Sequence, residues 1–271
     1  MEVNGYKIEP GANLRGADLT GADLNRADLT GVNLVNANLT RANLTRANLT
    51  RANLYGANLT NANLLAAVLR GANLANANLA NASLTGVNLT GTELNYSDLS
   101  GANLVSADLI GAILSNANLT GANLTAASLY GAHLYGANLS NANLTDAKLF
   151  GAYLVGATLK AANLTGALLA GAAMTTANLR GANLTGANLT HTVLTGANVT
   201  RTVMREAVLH GTDLCRAGLC EADLEGTDLT TTVLIQADLT GANLRGANLT
   251  GNRMKGAILT GATMPDGSIH D

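Results

Sequence analysis

Ala37-Asn38-Leu39-Thr40-Arg41 is one five-residue unit, and the chain is built by repeating it. Leu occupies positions 14, 19, 24, 29 and 34, and the phase holds without a slip as far as Met264, which makes 51 consecutive units. Only Met174, Val199, Met204, Met254 and Met264 replace Leu at a centre. Ala stands two residues before each centre with few exceptions, and Asn or Asp usually lies between them.

That period excludes the two commonest elements. Five residues advance a helix by a net ~140°, so the leucines would spread around its axis. In a long flat strand side chains alternate with period two, and the odd fifth residue would turn the next unit inside out. Ala-x-Leu obeys the alternation once, with both ends inward and the middle outward. Each unit is therefore a very short strand followed by a corner. Corners of one hand close a coil, and coils stack about 4.8 Å apart through ladder hydrogen bonds. Leu fills the axis and Ala lies against the wall. Gly is frequent two residues after Leu, as at a turn. Because Arg26, Arg41, Arg46 and Arg51 occupy the same position, positive φ is not expected to be obligatory there.

The exceptions count the units per coil. Thr192, Thr212, Thr232 and Asn252 replace the inward Ala at intervals of 20 residues. Polar groups facing a dry core must pair. Four units per coil would align these four along one inner edge, bonding one another or the wall. The same register sets Arg201 beside Glu221, and Arg205, Glu225 and Arg245 in alternating sign. Arg26 with Arg46 and Lys160 with Arg180 are like pairs at 20, against the trend. One coil buries four centres at about 1.5–3 kcal/mol each, against about 30 kcal/mol for ordering its residues. Only a stack can be stable.

Composition narrows the function. Net charge is −2, aromatics are 3% and charged residues 13%. Residues 1–70 carry seven Lys/Arg and five Asp/Glu; residues 201–271 carry six and nine. No basic face for duplex binding is implied, and no direct nucleic-acid contact is expected. No run of 18 apolar residues occurs, so no transmembrane helix and no membrane association are expected. Met1-Glu2-Val3-Asn4 has neither a basic nor an apolar leader segment, and the expected location is the cytoplasm.

The run Ala-(Asn/Asp)-Leu-x-x over residues 12–264 resembles the pentapeptide-repeat proteins. The resemblance implies an all-β fold: a right-handed, four-sided β-helix of about thirteen coils without interrupting loops. Domain boundaries follow: a capping segment at 1–10, the β-helix at 11–264 and a capping tail at 265–271. Val3, Tyr6 and Ile8, before Pro10, are expected to cover the first coil, and Ile269, which keeps the centre phase, the last. Met264-Pro265-Asp266-Gly267-Ser268-Ile269-His270 resembles the tails of cyanobacterial members, some of which regulate heterocyst differentiation. The resemblance implies a non-enzymatic, regulatory protein-interaction scaffold acting on an unknown protein partner, as a monomer or an end-to-end dimer. The alternative within the family is a DNA-mimicking inhibitor or protector of DNA gyrase or topoisomerase, which requires an acidic surface.

No catalytic, cofactor-binding or metal-binding residue is expected. His210, Cys215 and Cys220 are five apart, on successive faces, and should diverge rather than hold a metal. The recurrent Asn-Leu-Thr sequons arise from the repeat and are expected to be unmodified. Aromatic residues mark the candidate interaction patch: Tyr130, His133, Tyr135, Phe150 and Tyr153 take outward positions, and the 20-residue register sets Tyr130 with Phe150 and His133 with Tyr153. Exposed aromatics are enriched at interfaces.

Overall fold

The computed structural model describes residues 2–271 and comprises two compact units, Met1–Asn138 and Leu139–Asp271. Each is a right-handed, four-sided β-helix, with no helix among the described residues. The register of 20 is read directly from the backbone. In unit 1, Asp28 bridges Asn48, Asn48 bridges Val68, and Val68 bridges Asn88, all parallel. In unit 2, Asn163 bridges Asn183 and Asn183 bridges Val203 in the same way.

The unit around Leu164 shows how five residues satisfy five N–H groups. The Asn163 N–H donates to Ala142 O of the preceding coil at 2.9 Å, and the Leu164 N–H to Asn183 O of the following coil at 2.6 Å. The Gly166 N–H donates to Thr185 O at 3.0 Å, again one coil on. The Ala167 N–H closes the corner on Leu164 O at 3.0 Å. The fifth donor, Thr165 N–H, has no backbone acceptor and takes Asn163 Oδ1 at 3.1 Å. The outward Asn or Asp is thus a structural part of the wall, supplying the local side-chain acceptor these residues favour.

The corner corrects one expectation. Every corner residue from Gly11 to Gly261, five apart, has φ between 52° and 73°. Twenty-four of these carry a side chain, among them Arg26, Arg41, Arg46 and Arg51, and the β-branched Thr176 and Thr231. Positive φ at the third residue of a four-residue turn is the type II geometry. It is obligatory here because the residues on both sides are fixed to neighbouring coils, so side chains accept a conformation they otherwise avoid.

The core is a column of fully buried Leu centres bounded by buried Ala. The polar exceptions are satisfied by the wall and do not bond one another. Thr192, Thr212 and Thr232 donate to Leu169 O (2.9 Å), Leu189 O (2.7 Å) and Leu209 O (2.9 Å) of the preceding coil. Thr92 repeats the arrangement in unit 1, on Leu69 O at 2.9 Å. Asn252 is only half-buried, and its Nδ2 reaches no acceptor.

At the start of the chain, β1 (Glu2–Val3) and β2 (Tyr6–Lys7) form an antiparallel hairpin. Asn4-Gly5 turns it with positive φ at both positions, the preferred two-residue hairpin connection. Ile8 is buried, Val3 and Tyr6 half-buried, and the Tyr6 hydroxyl accepts from Asp18 N–H at 3.3 Å. At the other end the structure departs from expectation. Ile269 is 62% exposed and does not cover the last coil. Gly267, at φ 89°, reverses the chain, so that Ile269 pairs antiparallel with Thr263 and His270 N–H donates to Ala262 O. The centres Leu249, Met254, Leu259 and Met264 are left half-buried. No helix among the described residues is long and apolar enough to cross a membrane.

Candidate functional site

The first turn residue, just after each Leu, and the outward middle residue both point away from the core. In unit 1, Tyr130 and Tyr135 take this position in two consecutive turns, just before Gly131 and Gly136, and each is 38% exposed. Their backbones are locked into the wall: Tyr130 O accepts from Gly111 N–H at 3.0 Å, and Tyr135 O from Asn116 N–H at 2.8 Å. His133 lies between them in the middle of the side. Its imidazole meets the Tyr135 ring edge-on, with centroids 5.9 Å apart and planes at 73°.

The preceding coil adds two residues that the sequence reading did not single out. Ile113 bridges His133, and Ile110, 42% exposed, lies one coil before Tyr130. The 20-residue register would have found both. The result is an amphipathic cluster of two phenols, an imidazole and two aliphatic side chains on a hydrogen-bonded wall. In unit 2, Tyr153 is 40% exposed and bridges Ala173, while Phe150 is half-buried.

The other candidates are placed separately. His210 Nδ1 lies 2.8 Å from Thr230 Oγ1, and its ring meets His191 edge-on at 5.7 Å. Cys215 and Cys220 are free and half-buried. Burial and the neighbouring Asp238 carboxylate push the Cys220 thiol above its ordinary pKa, the reverse of what a reactive thiolate needs. No three His, Cys, Asp or Glu side chains among the described residues are grouped to hold a metal ion.

Charged side chains differ between the units. In unit 2, Arg201 Nε and Nη2 pair with Glu221 at 2.8 and 3.2 Å, which raises the arginine pKa and lowers that of the carboxyl. Arg205 pairs with Asp223, and Arg216 Nε donates to Gln236 at 2.9 Å. In unit 1 the side chains of Arg26, Arg41, Arg46, Arg51 and Arg70 are exposed and reach no carboxylate among the described residues.

Comparison with known proteins agrees with this construction. The Pentapeptide repeats family matches successive segments that run from 11–46 to 228–264. HetL, a pentapeptide repeat protein involved in heterocyst differentiation regulation from the cyanobacterium Nostoc sp. strain PCC 7120, is 38% identical. The match covers 75% of this chain and 91% of HetL, with a TM-score of 0.74. Full-length QnrB1, a plasmid-mediated fluoroquinolone resistance protein, is 18% identical over 77% of this chain and 92% of its own, with a TM-score of 0.40. Rfr23, from the cyanobacterium Cyanothece 51142, is 27% identical over 42% of this chain and 64% of its own, with a TM-score of 0.23. No curated protein matches the chain. The chain belongs to the pentapeptide repeat family.

Proposed function

We propose that this protein is a non-enzymatic, regulatory protein-interaction scaffold that works in a cyanobacterial cytoplasm, and that the aromatic cluster of unit 1 is its docking anchor. The observation that carries the reading is the exposed pair Tyr130 and Tyr135 flanking His133 on a hydrogen-bonded wall. Rings held by a rigid backbone lose little entropy on docking, and such residues dominate binding energy. Likeness to HetL, at 38% identity over 75% of the chain, supports a regulatory role. In unit 2, Phe150 and Tyr153 are offered as further contact residues.

A DNA-mimicking role requires a strongly negative surface, and the net charge is only −2. A gyrase supercoiling assay separates the readings: the scaffold reading expects no inhibition. The direct test is a pull-down from cyanobacterial extract with the wild-type chain and with Tyr130→Ser/Tyr135→Ser. The double variant should retain the fold, because Leu129, Leu134 and the flanking Ala are untouched. Partner affinity should fall by at least about 2 kcal/mol if these rings are anchors. Equal capture of the same partner by both proteins would show that the rings only stabilise the wall.

A further inference from the structure

Between Asp28 and Glu93 the chain contains no acidic residue, yet it carries Arg41, Arg46, Arg51 and Arg70. The register gathers most of this charge onto one side of unit 1. The outward middle column of that side is Asn48, Val68 and Asn88, joined by successive bridges. Along one edge run Arg26 and Arg46, 20 residues apart, followed by Leu65, whose carbonyl accepts from Arg46 N–H at 2.9 Å. Along the other edge Arg51 N–H donates to Arg70 O at 3.0 Å, which makes these two arginines neighbours in adjacent coils.

Like charges this close oppose each other, and the fold does not neutralise them. At equivalent corners in unit 2, Arg201 and Arg216 each have a polar partner one coil on. In unit 1 the position one coil beyond Arg51 is Gly71, and a Cβ placed there would lie 3.9 Å from Arg51 Cγ. The side chain thus lies across a bare backbone. Around it is a groove of about 500 Å³, lined by Arg51, Arg70, Gly71, Gly91 and threonines. The threonine hydroxyls are already spent: Thr30 donates to Asp28, Thr50 to Asn48 and Thr90 to Asp108. The guanidiniums are the donors left for a ligand.

We propose that this side of unit 1, bounded by Arg26 and Arg46 on one edge and Arg51 and Arg70 on the other, docks an acidic segment of a protein partner. The proposal rests on the scaffold reading and adds the chemistry of the partner. Carboxylates match the planar guanidinium fork. The extent of the site also favours a short peptide: Asp28 and Asp108 stand in the same middle column at its two ends, four coil steps or about 19 Å apart. A nucleic-acid strand tracking this side would meet both carboxylates. Single-strand grooves present aromatic rings for bases, whereas this side presents Val68 and the exposed Leu65, suited to an aliphatic side chain between acids.

The test uses the full chain and three fluorescein-labelled probes: a decapeptide of alternating Glu and Leu, one of alternating Lys and Leu, and a ten-nucleotide oligo-dT. Anisotropy is read at low and at moderate salt. The acidic peptide should bind, weaken with salt, and bind at least tenfold more weakly to Arg46→Glu/Arg51→Glu/Arg70→Glu. The neutral triple Gln variant should fall between. Arg41→Glu, on the corner diagonal to Arg51, should change affinity less than twofold. Melting curves establish that each variant is folded. The proposal is overturned if the acidic peptide does not bind, if Arg41→Glu weakens it as much as the triple variant, or if oligo-dT binds more tightly and responds to the triple variant. No aromatic residue enters these readouts, so failure of the tyrosine anchor would leave them unchanged.

Discussion

Thr212→Val removes one hydroxyl from the core and keeps the shape of the side chain. The hydroxyl donates to Leu189 O at 2.7 Å, and that carbonyl also accepts from Thr192 N–H at 2.9 Å. The substitution therefore leaves no acceptor orphaned, and the penalty of about 1–3 kcal/mol for a buried unpaired group does not apply. What is lost is the net value of one hydrogen bond, about 0.5–1.5 kcal/mol. Space is not limiting, because Val32 and Val87 occupy the equivalent inward position fully buried. Thr192 and Thr232 donate their hydroxyls to different carbonyls, but the three stand side by side in successive coils and couple, so the triple variant should lose more than any single one and at most about 4.5 kcal/mol. Urea unfolding followed by circular dichroism reads the change as a lower midpoint with an unaltered slope; a changed slope would signal loss of cooperativity in the array. The reasoning fails if the triple variant unfolds at the wild-type midpoint. It fails equally if Thr212→Val alone costs more than about 3 kcal/mol, since the hydroxyl would then be satisfying an otherwise orphaned group.

Gly226→Ala, which adds only a Cβ, tests the corner. Its φ is +67° and a Cβ there meets nothing within 4 Å, so the cost is conformational alone, about 1–2 kcal/mol; an unchanged urea midpoint would mean that the corner relaxes. Asn163→Ala removes the acceptor of Thr165 N–H and should cost about 1–2 kcal/mol, while Asn163→Asp, which keeps the acceptor, should cost less; equal losses would assign the effect to the Nδ2 bond with Thr145. Hydrogen bonds from Thr230 and Thr240 hold the carboxyls of Asp228 and Asp238 below the ordinary range. A depressed folded pKa contributes stability above the unfolded value, about 3.9, and loses it as pH falls through the folded value. Thermal midpoints should therefore drop below about pH 4, and a midpoint that stays level down to pH 2 would contradict this.

The period of five and the register of 20 were legible because core positions tolerate so few residue types. Thr192, Thr212 and Thr232 were informative for the same reason: a hydroxyl in a column of Ala must have a partner. The partner itself was not legible, because the Leu carbonyls that accept belong to the backbone. The corner was misread because Arg at a turn position argues against positive φ in an isolated turn. Here hydrogen bonds on either side hold the corner, as for Arg46, whose N–H donates to Leu65 O while Ala47 N–H donates to Leu44 O. Ile269 had the right phase and the wrong direction. Pro265 O still accepts from Gly246 N–H as the ladder requires; the chain leaves the coil beyond it, where Asp266 Oδ1 accepts from Ser268 N–H and Gly267 turns the chain. Exposure of the tyrosines followed from position in the unit. The arginine side was obscured because Arg26 and Arg46 counted as a discordant pair in the register.

A coil of four identical-length sides makes deletions and duplications act on the surface rather than on the core. Removing 20 residues from unit 1 would shorten that unit and leave each of its columns in line. Removing residues 72–76 would keep each Leu at a centre and each Ala at the wall, but every later residue would advance by one side. Glu93 would then take the place of Asn88 above Val68, bringing a carboxylate onto the arginine side, while inside Thr92 would replace the similarly shaped Val87. Gain or loss of single pentapeptides is thus a route by which such a protein can exchange one partner for another while its fold and stability stay nearly the same.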